Sequence, residues 1–307
     1  MLEGKKDFLN TQDFSEKTLY KLLSLGMEIK KHKKKYQNSL RRKKLGMIFE
    51  KPSTRTRVSF ETGMYELGGI SIFLSSRDIQ LGRGETIEDT AKVLSRYLDG
   101  IMIRTYSQKD VELMAREASI PVINGLTDLL HPCQAMADFM TILEKKKTLK
   151  GLKLCFIGDG NNVAHSLALL ASKFGMDFYI ATPKGYEMDP QITSQVFENS
   201  RTSNSTIVIT NDPEKAIKDA DIVYTDVWIS MGQEEEKEKK MKDFKNYQIN
   251  KSLVKLAKKD YIFMHCLPAH RGEEVTTEVI DGENSVVFDQ AENRLHIQKA
   301  ILYSLLR

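Results

Sequence analysis

Apolar residues fall into short runs separated by amphipathic stretches of helix length, and the alternation occurs twice. In the first half the runs are 45–49, 70–74, 101–104 and 121–124, with helical patterns over about 15–34, 54–67, 86–98 and 108–118. A further helix opens at His131-Pro132 and runs to about residue 146. The second half offers strands at 152–157, 178–181, 206–209, 222–225, 261–266 and 286–288. Strands alternating with helices predict parallel sheets with helices on their faces. The polar run Lys145-Lys146-Lys147-Thr148-Leu149-Lys150-Gly151 divides the halves. The fold expected is therefore α/β in two domains, 1–147 and 148–291, each a parallel sheet flanked by helices. A terminal helix over 292–307, with Ile297, Ala300, Ile301 and Leu305 on one face, must pack on something and is expected to return to the first domain.

Length agrees with this division, since 307 residues supply two cores of ordinary size. Lys and Arg number 46 against 42 Asp and Glu, a net +4 that is small for the length. The basic cluster from Lys30 to Lys44 lacks interleaved aromatics, so it reads as a solvated helix face and no nucleic-acid partner is expected. The N-terminus carries charges where a signal peptide needs an apolar core, and no run reaches the eighteen or so apolar residues of a membrane span. A cytoplasmic enzyme with no membrane partner is the expectation. Cys133, Cys155 and Cys266 are odd in number and widely spaced, which argues against disulfides and against a zinc site.

Polar motifs sit where the predicted strands end. Ser53-Thr54-Arg55-Thr56-Arg57 follows the first strand and opens a helix, where unpaired N–H groups, the helix dipole and two guanidinium groups favour phosphate. Gln80 follows the second strand, Arg104 ends the third, and His131-Pro132-Cys133-Gln134 follows the fourth. In the second half Gly158-Asp159-Gly160-Asn161-Asn162 follows the first strand, Asp226 the fourth, and His265-Cys266-Leu267-Pro268 closes the fifth. Ligands of open parallel sheets sit at such carboxyl ends, and two-lobed proteins commonly bind in the cleft between lobes, so that cleft is the expected active site.

Gly158-x-Gly160 suggests a dinucleotide fold, but Val163 replaces the third glycine and no acidic residue closes the second strand, so a dehydrogenase fits poorly. Asn162 is better placed to hold a small substrate. His131 is either a satisfied structural histidine or, beside Gln134, a donor to an oxyanion. His265 and Cys266, adjacent on an extended strand, would point to opposite faces, which disfavours a covalent dyad. The charged stretch 233–240 reads equally as a solvated helix or a lid, and Leu267-Pro268 is a candidate cis bond.

Taken together, Phe49-Glu50-Lys51-Pro52-Ser53-Thr54-Arg55-Thr56-Arg57, His131-Pro132-Cys133-Gln134, Asp226-x-x-x-Ser230-Met231-Gly232, His265-Cys266-Leu267-Pro268 and Glu292-Asn293-Arg294 resemble the aspartate/ornithine carbamoyltransferase family, in its ornithine-using branch. The resemblance runs in order along nearly the whole chain. It implies transfer of a carbamoyl group from carbamoyl phosphate to the δ-amine of L-ornithine, giving citrulline and phosphate within arginine metabolism, by direct attack and with no metal or organic cofactor. It further implies that Ser53, Thr54, Arg55 and Thr56 hold the phosphate and that Arg104 bridges phosphate and carbonyl. His131, Gln134, Cys266, Leu267 and Arg294 would contact the carbamoyl group. Gln80 would reach the donor of a neighbouring subunit in a homotrimer. Asn162, Asp226, Ser230 and Met231 would hold ornithine. On this basis Arg104, His131, Asp226 and Cys266 are the expected catalytic group. Putrescine, acetylornithine and aspartate are the alternative acceptors, and a non-catalytic binding protein is the alternative from another class.

Overall fold

A computed structural model describes Gly4 and residues 6–229 and 234–307. The chain separates into two compact units, residues 1–140 with 292–307, and residues 141–291. Among the described residues no helix is long and apolar enough to cross a membrane.

The first unit is built on four strands, β1 (Lys44–Phe49), β2 (Ile70–Ser75), β3 (Gly100–Arg104) and β4 (Val122–Leu126), all parallel in the order β2-β1-β3-β4. Every residue of β3 is buried, as expected of a central parallel strand covered on both faces. The chain turns back on itself between β1 and β3, where Phe49 is in register with Arg104. This is the topological switch point, the place where an open parallel sheet leaves room for a ligand. The helix Val287–Leu306 brings its last residues to this unit. Gly26, Gly63 and Gly100 leave room for it. A Cβ at these positions would lie 3.2 Å from Ile297, 3.3 Å from Lys299 and 2.7 Å from Leu306 respectively. Leu302 and Leu306 are buried along with Ile297, Ala300 and Ile301, whereas Leu305 is only half-buried.

The second unit carries β5 (Lys153–Ile157), β6 (Asp177–Ala181), β7 (Ile207–Thr210), β8 (Ile222–Thr225) and β9 (Ile262–His265), parallel in the order β7-β6-β5-β8-β9. Its switch point lies between β5 and β8. The expected sixth strand at 286–288 does not form. Only an isolated bridge from Ser285 to Phe263 is made, and the long helix begins at Val287. Val286 is spent on both jobs, its N–H donating to Phe263 O and its carbonyl accepting Gln290 N at 2.9 Å, so the extended chain turns helical within one residue. A short β-branched run had the composition of a strand, but no neighbour extends its ladder.

Candidate active site

In the first unit, Ser53 caps the helix Thr54–Glu66, its hydroxyl accepting from Thr56 N. A serine N-cap leaves the chain extended up to the cap and helical after it, so the first-turn N–H groups face outward beyond β1. The Thr56 side chain is buried beneath them. Its Oγ1 accepts from Arg104 Nη1 at 3.4 Å and from Arg294 Nη2 at 3.0 Å, and Arg294 Nη1 donates to Gln134 Oε1. Gln134 in turn donates to Asp138 Oδ1 at 2.8 Å. Two buried guanidinium groups thus meet at one helix start on a threonine hydroxyl, and one of them also reaches an amide oxygen. Such a cluster is suited to an anion.

His131 lies just before the helix Pro132–Lys146 and is buried. Burial holds its imidazole well below the usual range, and Arg294, Arg104 and Arg55 add to the effect. It is therefore uncharged at neutral pH. Arg57 turns away, pairing with Glu61 at 3.0 Å and stacking on Phe73. Cys133 donates to Asn124 O, and burial pushes its thiol up to about 12, which removes it as a nucleophile. Gln80 stands apart from this cluster, exposed on the 3-10 turn Gln80–Arg83.

In the second unit the centre is Asp226, just after β8 and buried. Oδ1 accepts from the Cys266 thiol at 3.0 Å and from Val227 N at 2.8 Å, while Oδ2 accepts from Asn161 Nδ2 at 2.8 Å. Asn161 is the residue that sequence reasoning passed over in favour of Asn162. Its Oδ1 caps the helix Asn162–Lys173, accepting from Val163 N and Ala164 N, so the amide is fixed with its donor end on Asp226. Asn162 is the first helical residue and half-buried. The signal for Asn161 was present as an Asx residue immediately before an apolar helical run. Gly160 approaches the neighbouring backbone closely, a Cβ there falling 2.5 Å from Glu187 C and Met188 N.

The strand ends at His265, so Cys266 is free to turn to Asp226 while the His265 ring faces Glu274. Leu267-Pro268 is cis, and Leu267 is half-buried. The charged stretch after residue 233 is not simply solvated. In the helix Lys237–Asp243, Lys240 is buried and pairs with Asp159 at 2.6 Å. Ser230 and Met231 lie outside the described residues. Two groups among the described residues could offer three metal ligands each, Asp226 with His265 and Cys266, and His270 with Glu273 and Glu274. In the first, the thiol and the carboxylate are already bonded to each other.

A family model described as "Aspartate/ornithine carbamoyltransferase, carbamoyl-P binding domain" matches residues 6–144, and "Aspartate/ornithine carbamoyltransferase, Asp/Orn binding domain" matches 150–305. The chain belongs to the aspartate/ornithine carbamoyltransferase family. Family members named ornithine carbamoyltransferase match it from end to end. That of Thermococcus kodakarensis is 57% identical over 299 residues, covering 97% of this chain and 95% of its own. One from Pyrococcus furiosus, named "Ornithine carbamoyltransferase, anabolic", is 56% identical over the same shares of both chains. A solved structure of ornithine carbamoyltransferase from Pyrococcus furiosus superposes with a TM-score of 0.95 at 55% identity, covering 98% of this chain and 97% of that one. Thr56, Arg104, His131 and Gln134 fall within the carbamoyl-phosphate-binding match, whereas Arg294 and the Asp226 cluster fall within the aspartate/ornithine-binding match.

Proposed function

We propose that this chain transfers the carbamoyl group of carbamoyl phosphate to the δ-amine of L-ornithine, releasing L-citrulline and phosphate. The observation that carries the reading is the convergence of Arg104 and Arg294 on Thr56 at a capped helix start. Ser53, Thr54, Arg55 and Thr56 hold the phosphate through backbone N–H groups, hydroxyls and the guanidinium. Arg104 bridges phosphate and carbonyl, while Gln134, Arg294, Cys266 and Leu267 fix the carbamoyl end. Asp226 accepts the α-ammonium of ornithine, and Asn162, Ser230 and Met231 complete its binding.

The reaction requires the donor held by the first unit and the amine held by the second to meet. The δ-nitrogen attacks the carbonyl carbon, the oxygen takes up negative charge, and the bond to the phosphate oxygen then breaks. The leaving phosphate takes the proton that the amine gives up, so neither metal nor cofactor is needed. An uncharged His131 can donate one N–H to the developing oxyanion, with Arg104 supplying positive charge. The acceptor must be neutral to attack. With a pKa near lysine's 10.4, deprotonation at pH 7 costs about 4.6 kcal/mol, which the site offsets by desolvating the amine beside Cys266.

The chain acts as a homotrimer in the cytoplasm, with Gln80 serving a neighbour's donor site. Its exposure, just after the edge strand β2 on which Ile70 and Ile72 are exposed, supports this. The anabolic name of the Pyrococcus furiosus relative supports the citrulline-forming direction. A citrulline-type colour assay with ornithine, putrescine, acetylornithine and aspartate offered in parallel tests the reading. Product is expected with ornithine, and equal turnover of another acceptor would overturn it.

A further inference from the structure

Glu274 is fully buried, yet it belongs to neither the Thr56 cluster nor the Asp226 cluster. Its Oε1 lies 3.2 Å from His265 Nε2 and accepts from His270 N at 2.6 Å. On the other side of the same imidazole, Leu267 N donates to His265 Nδ1 at 2.9 Å. An amide N–H directed at Nδ1 requires a lone pair there, so the ring proton sits on Nε2 and points at Glu274. His265 N is also held, donating to Gln290 Oε1 at 2.9 Å. The imidazole is therefore clamped at both ring nitrogens and at its backbone. It spans the turn Cys266-Leu267, whose thiol reaches Asp226.

We propose that Glu274 is a positioning residue for the Cys266-Leu267 turn, acting through the His265 ring. The inference rests on the carbamoyl-transfer reading, because only there do Cys266 and Leu267 touch the group being transferred. Glu274 orients the imidazole and holds the His270 amide, so the chain is tied on both sides of Pro268. Without that acceptor the ring loses the partner that fixes its rotation, and the turn loses its hold on the Leu267 amide. Partners of this outer kind typically change activity by about ten- to a hundredfold in metal sites, where the logic of orienting a histidine is the same.

The test uses the full-length protein and two readouts. The first is the rate at which iodoacetamide alkylates Cys266, which is half-buried while Cys133 and Cys155 are buried with thiols pushed up by desolvation. The second is kcat/KM for carbamoyl phosphate. Glu274→Gln keeps an oxygen that can accept both N–H groups and is expected to match the parent in each. Glu274→Leu removes the acceptor, and Glu274→Asp keeps the charge but shortens the reach, which guards against a leucine variant that fails to fold. Both are expected to change the alkylation rate severalfold and to lower kcat/KM about tenfold or more. Unchanged alkylation, unchanged kcat/KM, or equal losses in the glutamine variant would overturn the proposal. Altered alkylation in a protein whose parent forms no citrulline would overturn the transfer reading instead, leaving the clamp in place.

Discussion

Thr56 Oγ1 serves two guanidinium groups, and the two come from residues 190 positions apart, Arg104 and Arg294. Because both are buried, removing either leaves the other's charge with less to hold, so truncation acts on binding and on local order together. Arg104→Ala is expected to lower kcat/KM by about a hundredfold or more, as for loss of a transition-state donor. Asp226→Ala is expected chiefly to raise the KM for ornithine. Steady-state kinetics with each substrate varied in turn separates the two, and equal small effects from both would favour a binding protein without catalysis. His131 adds a pH dependence whose sign is fixed. Folded, it stays neutral well below its usual range, whereas the unfolded chain takes up its proton near pH 6.5. The unfolded state therefore binds more protons below that pH, so this group lowers folding stability by about 1.4 kcal/mol for each unit that the pH drops below about 6.5, until the folded ring itself takes a proton. Thermal unfolding at pH 7.5 and pH 5.5 should show His131→Gln losing less stability on acidification than the parent. Much of this chemistry was visible in the chain, since Ser53–Thr56, Arg104, His131 and Asp226 each follow an apolar run. Asn161 escaped because two asparagines stood side by side, and only the cap geometry decides which faces Asp226.

The turn between β5 and the helix Asn162–Lys173 is dense in backbone. Gly158 has φ +150°, and Gly160 sits with the Tyr186–Met188 backbone where its Cβ would be. Gly160→Ala therefore forces main-chain atoms apart, a cost of about 1–3 kcal/mol for an overpacked site. The expected result is a lowered Tm together with weakened ornithine use, because Asn161 shares the turn. A parent-like Tm would mean that the Glu187–Met188 segment yields without cost. Strands other than 286–288 and the first-half helices from 54 to 118 were legible in the hydrophobic period to within a residue or two, whereas the terminal helix, expected from 292, begins at Val287, and helices such as Pro190–Ser203 were given no bounds. The exception, 286–288, has the right residues for a strand but spends Val286 on both a bridge and the first helical bond, a tertiary choice that periodicity cannot register.

Two units each repeat the same solution, a parallel sheet whose strand order reverses, with chemistry gathered where it does so. The repetition was readable because the strand–helix alternation restarts after a lysine-rich break. The proposed assembly leaves a weaker trace. Tyr65 is 81% exposed and Ile70 57%, on a helix and an edge strand of the first unit, which is more apolar surface than a solvated edge normally keeps. Light scattering is expected to give three times 35.1 kDa for the parent and a smaller mass for Ile70→Lys with Tyr65→Glu. A monomeric parent would refute the trimer. One further consequence concerns synthesis. The Thr56 cluster opens near residue 53, but Arg294 arrives on the helix that ends at Leu306. A nascent chain that has displayed the first half of the protein on the ribosome still lacks one of the two guanidinium groups that meet on Thr56, and domains emerge in order of translation. A product terminated before that helix therefore keeps Arg104 but lacks the Arg294 that donates to Thr56 Oγ1.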